Sequence, residues 1–305
     1  MAACASCSGR SYVVERRGSH AVARVCDCSK PCKRCKGVGH TYAMQEAEFS
    51  VKVGKRQYEV LVPCTCGLLQ RRVSLFNEAD LPGVYNHASF DGFSTASPHP
   101  NVGPALQKAK QAVLGFATGY DRKSPSRGFI LSGPVGTGKT HLLAATLAHL
   151  ALELGIRTRY VEISLLYSTI RRGFQEGKSG GEIIEPLSEM DVLAIDELGK
   201  GRGSQFEHET LDELIARRYN AGRTTLFATN FPLGEKHDSV KPVGRAVSTE
   251  DKLATALNQT ELLRDRVGPR IYSRLMEMCE FVEFPVHTPD HRRTIADKAR
   301  GRLGA

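Results

Sequence analysis

The sequence predicts an α/β fold, in which a parallel β-sheet with helices on its faces follows a small β-rich region. Two observations lead to this prediction. From about residue 105 onward, short apolar runs of strand length alternate with longer segments of helical periodicity. Before residue 67, eight of the nine cysteines occur in close pairs that are separated by strand-like segments. The chain of 305 residues is long enough for one substantial core and a smaller module.

The cysteine-rich region repeats one layout twice. A C-x-x-C pair is followed by a strand, a turn and a second strand, and the unit closes on a C-x-C pair. This is the layout of a zinc ribbon, in which the hairpin brings two cysteine pairs around one tetrahedral Zn²⁺. We expect two such structural zinc ions, which would be bound by Cys4, Cys7, Cys26 and Cys28, and by Cys32, Cys35, Cys64 and Cys66.

Two alternatives to this assignment stay open. The outer cysteine pairs could share one metal ion and the inner pairs the other, because only residues 29–31 separate the two units. The cysteines could also form disulfide bonds, although a chain without a signal peptide is more typical of a reducing compartment. In either metal arrangement, four thiolates leave no open coordination position, so the zinc would be structural rather than catalytic.

Residues 133–140 form the G-x-x-x-x-G-K-T motif of a phosphate-binding loop. An apolar run at 128–132 predicts a buried strand before the loop, and residues 141–154 predict a helix after it. In this context the loop amides and the helix N-terminus bind phosphate oxygens, Lys139 reaches the β- and γ-phosphates, and Thr140 places its hydroxyl on Mg²⁺. The predicted ATP-binding residues here are Gly133, Pro134, Val135, Gly136, Thr137, Gly138, Lys139, Thr140 and His141.

The segments around this loop suggest how the chain is divided. Three prolines within residues 94–104 indicate a linker, and residues 104–119 have a helical pattern that we expect to pack on the core and to help cover the adenine. The predicted divisions are a tandem zinc-ribbon domain at 1–78, a linker and lead-in segment at 79–104, and the nucleotide-binding domain at 105–305.

Two further apolar runs end in polar residues. Residues 191–198 predict a strand that ends in Asp196 and Glu197, and on a buried parallel strand these acids emerge beside the phosphate loop. We expect Asp196 to hold Mg²⁺ and Glu197 to orient and polarise the attacking water. Residues 224–230 predict another buried strand, whose terminal Asn230 can hydrogen-bond the γ-phosphate or the water. Together these residues predict ATP hydrolysis.

These motifs carry a resemblance to a known family. The phosphate loop, I-D-E-L-G at 195–199, T-N at 229–230, V-G-P-R-I-Y-S-R-L at 267–275 and L-P-x-x-Y-x-x-A-S-F at 81–90 resemble the bacterial helicase loaders of DnaC and DnaI type. That family also includes the IstB transposition ATPases. The resemblance implies an AAA+ core with a five-stranded parallel sheet and helices on both faces, self-assembly into an oligomer with ATP at subunit interfaces, and loading of a replicative DNA helicase onto single-stranded DNA.

The same resemblance implies roles for several residues beyond the phosphate loop. Asn230 corresponds to the sensor 1 residue, and Arg270 corresponds to an arginine finger, with Arg274 as a second basic residue beside it. Either Arg292 or Arg293 corresponds to the sensor 2 arginine. The chain departs from the family pattern in its double zinc ribbon and in the long segment between Asn230 and Arg270.

The formal net charge of +9 favours an acidic partner, nucleic acid above all. Basic residues follow the second predicted core strand and the acidic strand end, where related ring ATPases face a central channel. The candidate DNA contacts are Arg171, Arg172, Lys178, Lys200 and Arg202. A solvated basic loop explains the same composition equally well. Because the sequence has neither a signal peptide nor an apolar stretch that would span a bilayer, we expect a cytoplasmic protein.

Three functions are compatible with these features. The first is an ATP-driven loader of a replicative helicase onto single-stranded DNA, and the second is an IstB-like transposition helper that acts on duplex DNA with a transposase. The third is a zinc-ribbon adaptor whose ATP site is only an assembly switch. The Asp196 and Glu197 pair argues against the adaptor, because a switch does not need Glu197. The zinc region favours the loader, since it suggests a domain for docking a partner.

Overall fold

The computed structural model describes residues 4–30, 32–36, 38–48, 55–65, 67–124, 127–234 and 261–292. Two predicted site residues, Cys66 and Arg293, lie outside this part of the chain. Within it, no helix is long and apolar enough to cross a bilayer.

Two antiparallel hairpins form the N-terminal region, as the spacing of the cysteines predicts. Strand β1 (Tyr12–Arg17) pairs with β2 (His20–Val25), and β3 (His40–Glu48) pairs with β4 (Lys55–Pro63). The first hairpin turns at Gly18, whose φ of 58° lies in the left-handed region that glycine adopts without steric cost.

The α/β core contains five parallel strands, which confirms the predicted fold class. Their order across the sheet is β6, β7, β8, β5 and β9, and every neighbouring pair is parallel. The strands are β5 (Gly128–Ser132), β6 (Thr158–Glu162), β7 (Val192–Asp196), β8 (Thr224–Thr229) and β9 (Cys279–Glu283).

Helices cover both faces of this sheet. They are α1 (Gly67–Glu78), α2 (Val102–Gly119), α3 (Lys139–Leu152), α4 (Ile163–Gln175), α5 (Gly180–Ser188), α6 (Gln205–Asn220), α7 (Leu263–Val267) and α8 (Pro269–Met278). Successive strand side chains point to opposite faces: Leu131 packs with α1, α2 and α3, whereas its neighbour Ile130 packs with α4 to α8. Because both faces are buried, the strands read as continuous apolar runs rather than alternating ones.

Helix caps distinguish the helix of the phosphate loop from two of its neighbours. Ser179 and Ser204 cap α5 and α6 in capping boxes with Glu182 and Glu207. Helix α3, in contrast, begins at Lys139 after Gly138, and no side chain caps it in the described structure. The first amides of α3 therefore stay available to an anion in front of the helix.

The first hairpin packs into the same hydrophobic core as α3. Tyr12, Ala21 and Ala23 are buried in the cluster that also contains the apolar face of α3. The Tyr12 hydroxyl donates a hydrogen bond to Glu153 Oε1 at 2.6 Å, just beyond the end of that helix. The Asn77 side chain on α1 bonds both the amide and the carbonyl of Ala23, at 2.7 and 3.1 Å. The hairpin is thus tied to the core, and the predicted division after residue 78 stays a prediction.

The second hairpin, in contrast, exposes apolar side chains. Tyr42, Met44 and Leu61 are 70%, 62% and 60% exposed. Tyr42 and Leu61 are cross-strand partners in the β3–β4 register, and Met44 lies two residues along the same strand, so the three share one face. None of the described residues of β3 and β4 belongs to the buried core clusters.

Candidate nucleotide-binding and metal sites

The phosphate loop joins β5 to α3 and depends on its glycines at two positions. Gly136 and Gly138 have φ angles of 79° and 95°, which favour glycine. A Cβ on Gly136 would lie 1.9 Å from Asp290 Oδ1, and one on Gly138 would lie 2.7 Å from Phe93 Cε2. The loop is therefore in close contact with the segment before α2 on one side and with the C-terminal segment of the described chain on the other.

A cavity of about 900 Å³ opens at the carboxyl ends of the central strands. Its walls come from residues 84–98, the phosphate loop, the ends of β7 and β8, and residues 289–292. It brings together many of the predicted site residues, namely Val135, Gly136, Thr137, Gly138, Lys139, Thr140, His141, Asp196, Glu197, Asn230 and Arg292. Neither Arg270 nor any of the five candidate DNA contacts is among the described lining residues.

Helix α2 packs on the core, as expected, but none of its residues is among the described lining of this cavity, and its part in covering the adenine stays a prediction. Leu106, Ala109 and Val113 of α2 are buried in the core that includes α3, which places the helix behind the site. The described lining includes Val84, Tyr85 and other members of segment 84–98 instead. The L-P-x-x-Y-x-x-A-S-F stretch at 81–90 marks part of this segment in the sequence.

Lys139 lies inside the phosphate loop. Its Nζ donates hydrogen bonds to the carbonyl oxygens of Gly133 and Pro134 at 2.7 and 2.6 Å. Burial lowers the pKa of Lys139 to about 8, while the nearby Asp196 carboxylate acts in the opposite direction. The ammonium group is thus placed where phosphate oxygens would provide a better partner than two carbonyl groups.

Asp196 occupies a hydrogen-bonded position at the end of β7. Its Oδ2 accepts hydrogen bonds from the hydroxyls of Thr140 and Tyr160, both at 2.8 Å, and its Oδ1 accepts one from the Glu197 amide at 2.8 Å. Burial raises the pKa of Asp196, and these hydrogen bonds oppose that shift. A hydroxyl and a buried carboxylate in contact are oxygen donors of the kind that Mg²⁺ prefers, so Thr140 and Asp196 fit a magnesium site.

Glu197 adopts an unusual backbone conformation beside this site. Its φ of 56° lies in the left-handed region, and its carboxylate forms an ion pair with Lys200. The Lys200 Nζ also lies 3.2 Å from Glu162 Oε1. One of the candidate DNA contacts is therefore paired with the residue that we expect to orient the attacking water.

The arginines on and near α8 differ in their surroundings. Arg270 is 76% exposed and lies 3.8 Å from Asp212, whereas Arg274 is 20% exposed and binds the same carboxylate at 2.6 Å. Arg266, which the sequence analysis missed, donates hydrogen bonds to the carbonyls of Gly199 and Gly201 at 2.9 and 2.6 Å. Arg266 therefore fixes the loop that follows the acidic strand end.

The candidate DNA contacts on α4 and after it are not equivalent. Arg171 lies 3.0 Å from the buried carboxylate of Glu207 and stacks over the Phe206 ring. Lys178 pairs with Glu176 at 2.8 Å. Arg171 is consequently part of the packing between α4 and α6 as well as a surface cation.

Two other candidate DNA contacts are exposed. Arg172 and Arg202 form no ion pair within 4 Å among the described residues, although the charge of Arg172 helps to lower the pKa of Glu176.

The first cysteine group forms a compact cluster. The sulfurs of Cys4, Cys7, Cys26 and Cys28 all lie within 4.8 Å of one another, with 4.0 Å between Cys4 and Cys26 and 3.5 Å between Cys7 and Cys28. Four sulfurs at about 2.3 Å from a tetrahedral Zn²⁺ would lie about 3.8 Å apart, whereas a disulfide needs about 2.05 Å. The observed separations fit a zinc site.

The second cysteine group has the same arrangement in its described members. Cys32, Cys35 and Cys64 lie within 4.8 Å of one another, and the Cys32 and Cys64 sulfurs are 3.7 Å apart. The Gly39 amide donates a hydrogen bond to Cys35 Sγ at 3.3 Å. The clusters thus follow the sequential grouping of cysteines rather than the crossed one.

Comparison with known proteins concerns the α/β core. A family model described as IstB-like ATP binding protein matches residues 118–268, beyond the cysteine clusters. The replicative helicase loader DnaC of Escherichia coli (strain K12) is 30% identical over 183 residues, which are 60% of this chain and 70% of the relative. That of Buchnera aphidicola subsp. Baizongia pistaciae (strain Bp) is 34% identical over 117 residues, 38% of this chain and 46% of the relative.

A solved structure supports the same fold. The crystal structure of the DnaC helicase loader superimposes with a TM-score of 0.50 at 24% sequence identity, and the match covers 66% of this chain and 99% of that chain. At this identity the likeness concerns the fold of the core.

Proposed function

Because the chain belongs to the family of IstB-like and DnaC-type AAA+ ATP-binding proteins, we propose that it hydrolyses ATP in order to load a replicative DNA helicase onto single-stranded DNA. The observation that carries the ATPase part is the cavity, which gathers Lys139, Thr140, Asp196 and Glu197 around an uncapped helix N-terminus. The loader part rests on the DnaC relatives, which are named as replicative helicase loaders.

In this proposal, the phosphate loop binds the triphosphate. The free amides at the start of α3 donate hydrogen bonds to phosphate oxygens, and Lys139 exchanges the carbonyls of Gly133 and Pro134 for the β- and γ-phosphates. Thr140 and Asp196 hold Mg²⁺, which supplies positive charge to the phosphate oxygens. Arg292, which also lines the cavity, contributes a further positive charge.

Glu197 and Asn230 act on the attacking water. Once Glu197 is released from Lys200, its carboxylate accepts a hydrogen bond from the water and directs an oxygen lone pair at the γ-phosphorus. Asn230, which lines the same cavity at the end of β8, holds the water or the γ-phosphate in place. Hydrolysis then gives ADP and inorganic phosphate.

Arg270 acts on a neighbouring subunit. It is largely exposed and does not line the described cavity of its own chain, so its guanidinium is free to approach the γ-phosphate bound by another copy. Such an arginine stabilises charge in the transition state of phosphoryl transfer. The proposal therefore includes an oligomer with ATP at its subunit interfaces.

In this proposal, single-stranded DNA contacts the basic residues on and after α4 and after β7. Arg172 and Arg202 are exposed cations, and Lys200, Arg171 and Lys178 add positive charge although each is already paired with a carboxylate. A contact of this kind is made with phosphates, so it is insensitive to base sequence and weakens steeply with salt. The alternative, a solvated basic surface, predicts no such binding.

The two cysteine clusters hold one structural Zn²⁺ each. The sulfur separations in both clusters support this part of the proposal. Cys66, which lies outside the described residues, is proposed as the fourth ligand of the second ion on the C-x-C spacing of the sequence. The second hairpin, which exposes apolar side chains, is suited to docking the helicase.

A second candidate function is an IstB-like transposition helper, which would act on duplex DNA with a transposase. The description of the matching family model favours it. Binding assays with single-stranded and duplex DNA of the same sequence separate the two proposals, since a loader prefers the single strand in the presence of ATP.

The ATPase part of the proposal is tested by two variants that fail in different ways. Lys139→Ala removes a phosphate ligand and should weaken ATP binding and turnover together, whereas Glu197→Gln should keep binding and lower turnover at least about 100-fold. Equilibrium binding of ATP and release of inorganic phosphate are measured on the same preparations. Unchanged turnover in Glu197→Gln would contradict the role given to Glu197.

A further inference from the structure

Residues 84–98 form one wall of the nucleotide cavity and contact the phosphate loop, since a Cβ on Gly138 would lie 2.7 Å from Phe93. Because the loop and the acidic strand end provide the charged groups, this wall supplies the apolar surface on which a base can pack. Its lining members with apolar or aromatic side chains are Val84, Tyr85, Phe93, Ala96 and Pro98. We call residues 84–98 the base-side segment.

His141 connects the base-side segment to the phosphate-loop helix. Its Nε2 lies 2.8 Å from the carbonyl oxygen of Ser89, and the Ser89 amide lies 3.4 Å from the same nitrogen. The His141 ring also lies 6.2 Å from the Phe93 ring and 6.3 Å from the His87 ring, centroid to centroid. Among the described residues, no other side chain of α3 hydrogen-bonds the base-side segment.

The 2.8 Å contact joins Nε2 of His141 to the Ser89 carbonyl oxygen, which can only accept a hydrogen bond, so the imidazole N–H is the donor.

His141 directly follows the two loop residues, Lys139 and Thr140, that we assign to phosphate and Mg²⁺. One turn of α3 thus carries both the phosphate ligands and the link to the base-side segment. We propose that His141 is a positioning residue, which holds the base-side segment at a fixed distance from the phosphate loop so that base and triphosphate bind together. The inference rests on the proposed nucleotide-binding function and refines the role of His141, which contacts the segment rather than the phosphates.

The test distinguishes binding of the base from binding of the phosphates. We would measure binding of ATPγS and of inorganic tripolyphosphate, each with Mg²⁺, by calorimetry. His141→Ala should weaken ATPγS binding on the order of tenfold, as expected for loss of one hydrogen bond and of the ring packing against Phe93, and should leave tripolyphosphate binding unchanged. His141→Gln, whose amide can reach the same carbonyl, should restore most of the ATPγS affinity.

His149→Ala is the matched control, because His149 lies on the same helix and contacts Phe90 of the same segment through its ring, at 6.2 Å between centroids. It should change neither affinity. Hydrogen exchange of the amides of residues 84–98 should accelerate in His141→Ala, and the KM for ATP should rise while kcat is kept. Equal loss of both ligands in His141→Ala, or equal effects of His141→Ala and His149→Ala, would overturn the inference.

Failure of the inference and failure of the proposed function give different results. A wild-type protein that binds neither ATPγS nor tripolyphosphate contradicts nucleotide binding itself. If the wild-type protein and His141→Ala bind ATPγS equally tightly, that result contradicts only the role of His141.

Discussion

Lys139 is held by two carbonyl oxygens of its own loop, and an incoming phosphate has to replace them. Burial lowers its pKa to about 8, so the side chain loses its charge at a pH where most lysines keep theirs. A bound triphosphate favours the charged form and raises the pKa. Binding is therefore coupled to proton uptake above this pH.

ATP affinity should consequently depend on pH through Lys139. The charged form is present below pH 8, so affinity is full there and should fall about fivefold between pH 8 and 9. Lys139→Arg keeps its charge throughout this range and should show a flat profile, whatever its absolute affinity. Calorimetric titrations with ATPγS from pH 7 to 9.5 make the measurement. An equal pH dependence in both proteins would assign it to another group.

The roles of other residues depend on contacts that the local sequence does not encode. Tyr160 bonds Asp196 because β6 lies beside β7, and the register places Glu162 opposite Asp196. The sequence of β6 does not indicate which strand lies beside it, so this contact could not be predicted. Arg266 likewise reaches Gly199 across 67 positions of the chain.

At the scale of secondary-structure elements, more of the structure can be predicted from the sequence than at the scale of single residues. The parallel strands follow from apolar runs that are buried on both faces, and the hairpins follow from cysteine spacing, because each signal lies within a contiguous stretch. The packing of the first hairpin against α3 could not be predicted, since it depends on small buried residues, Ala21 and Ala23, that carry no distinctive pattern. The two hairpins have nearly the same cysteine layout and different surroundings.

This difference predicts unequal effects of losing each metal site. Cys7→Ser should release one zinc and, because Tyr12 and its neighbours then lose their burial, lower the melting temperature of the core by about 5–10 °C. Cys35→Ser should also release one zinc but change that temperature by less than about 2 °C, since the described part of its hairpin lies outside the buried clusters. Elemental analysis and thermal unfolding of both variants provide the comparison. Equal shifts would contradict the distinction between the hairpins.

At the scale of the whole molecule, the active unit in this account is an oligomer. The cavity of one subunit holds the groups that we propose to bind ATP and orient water. The exposed Arg270 is not among the described residues that line this cavity. Family resemblance identifies this arginine in the sequence, and the structure adds that its side chain is 76% exposed. A variant that lacks Arg270 and a variant that lacks Lys139 should therefore complement each other's ATPase activity when they are mixed.

Mixing the two inactive variants tests this arrangement. Arg270→Ala and Lys139→Ala should each lower ATP turnover at least about 100-fold alone. In mixed oligomers, the intact ATP site of an Arg270→Ala subunit can lie beside the intact Arg270 of a Lys139→Ala subunit. If the two variants assemble at random in equal amounts, turnover should recover to roughly a quarter of the wild-type rate. Absence of any recovery at every mixing ratio would place Arg270 in its own subunit's site or outside catalysis.

The most direct measurement of the central claim is the amount of host replicative helicase retained on biotinylated single-stranded DNA after a salt wash. We predict that the wild-type protein with ATP increases this amount several-fold over helicase alone, and that Lys139→Ala does not. Glu197→Gln should bind the helicase but keep the loader and helicase together on the DNA. Equal retention with and without the wild-type protein would contradict the account.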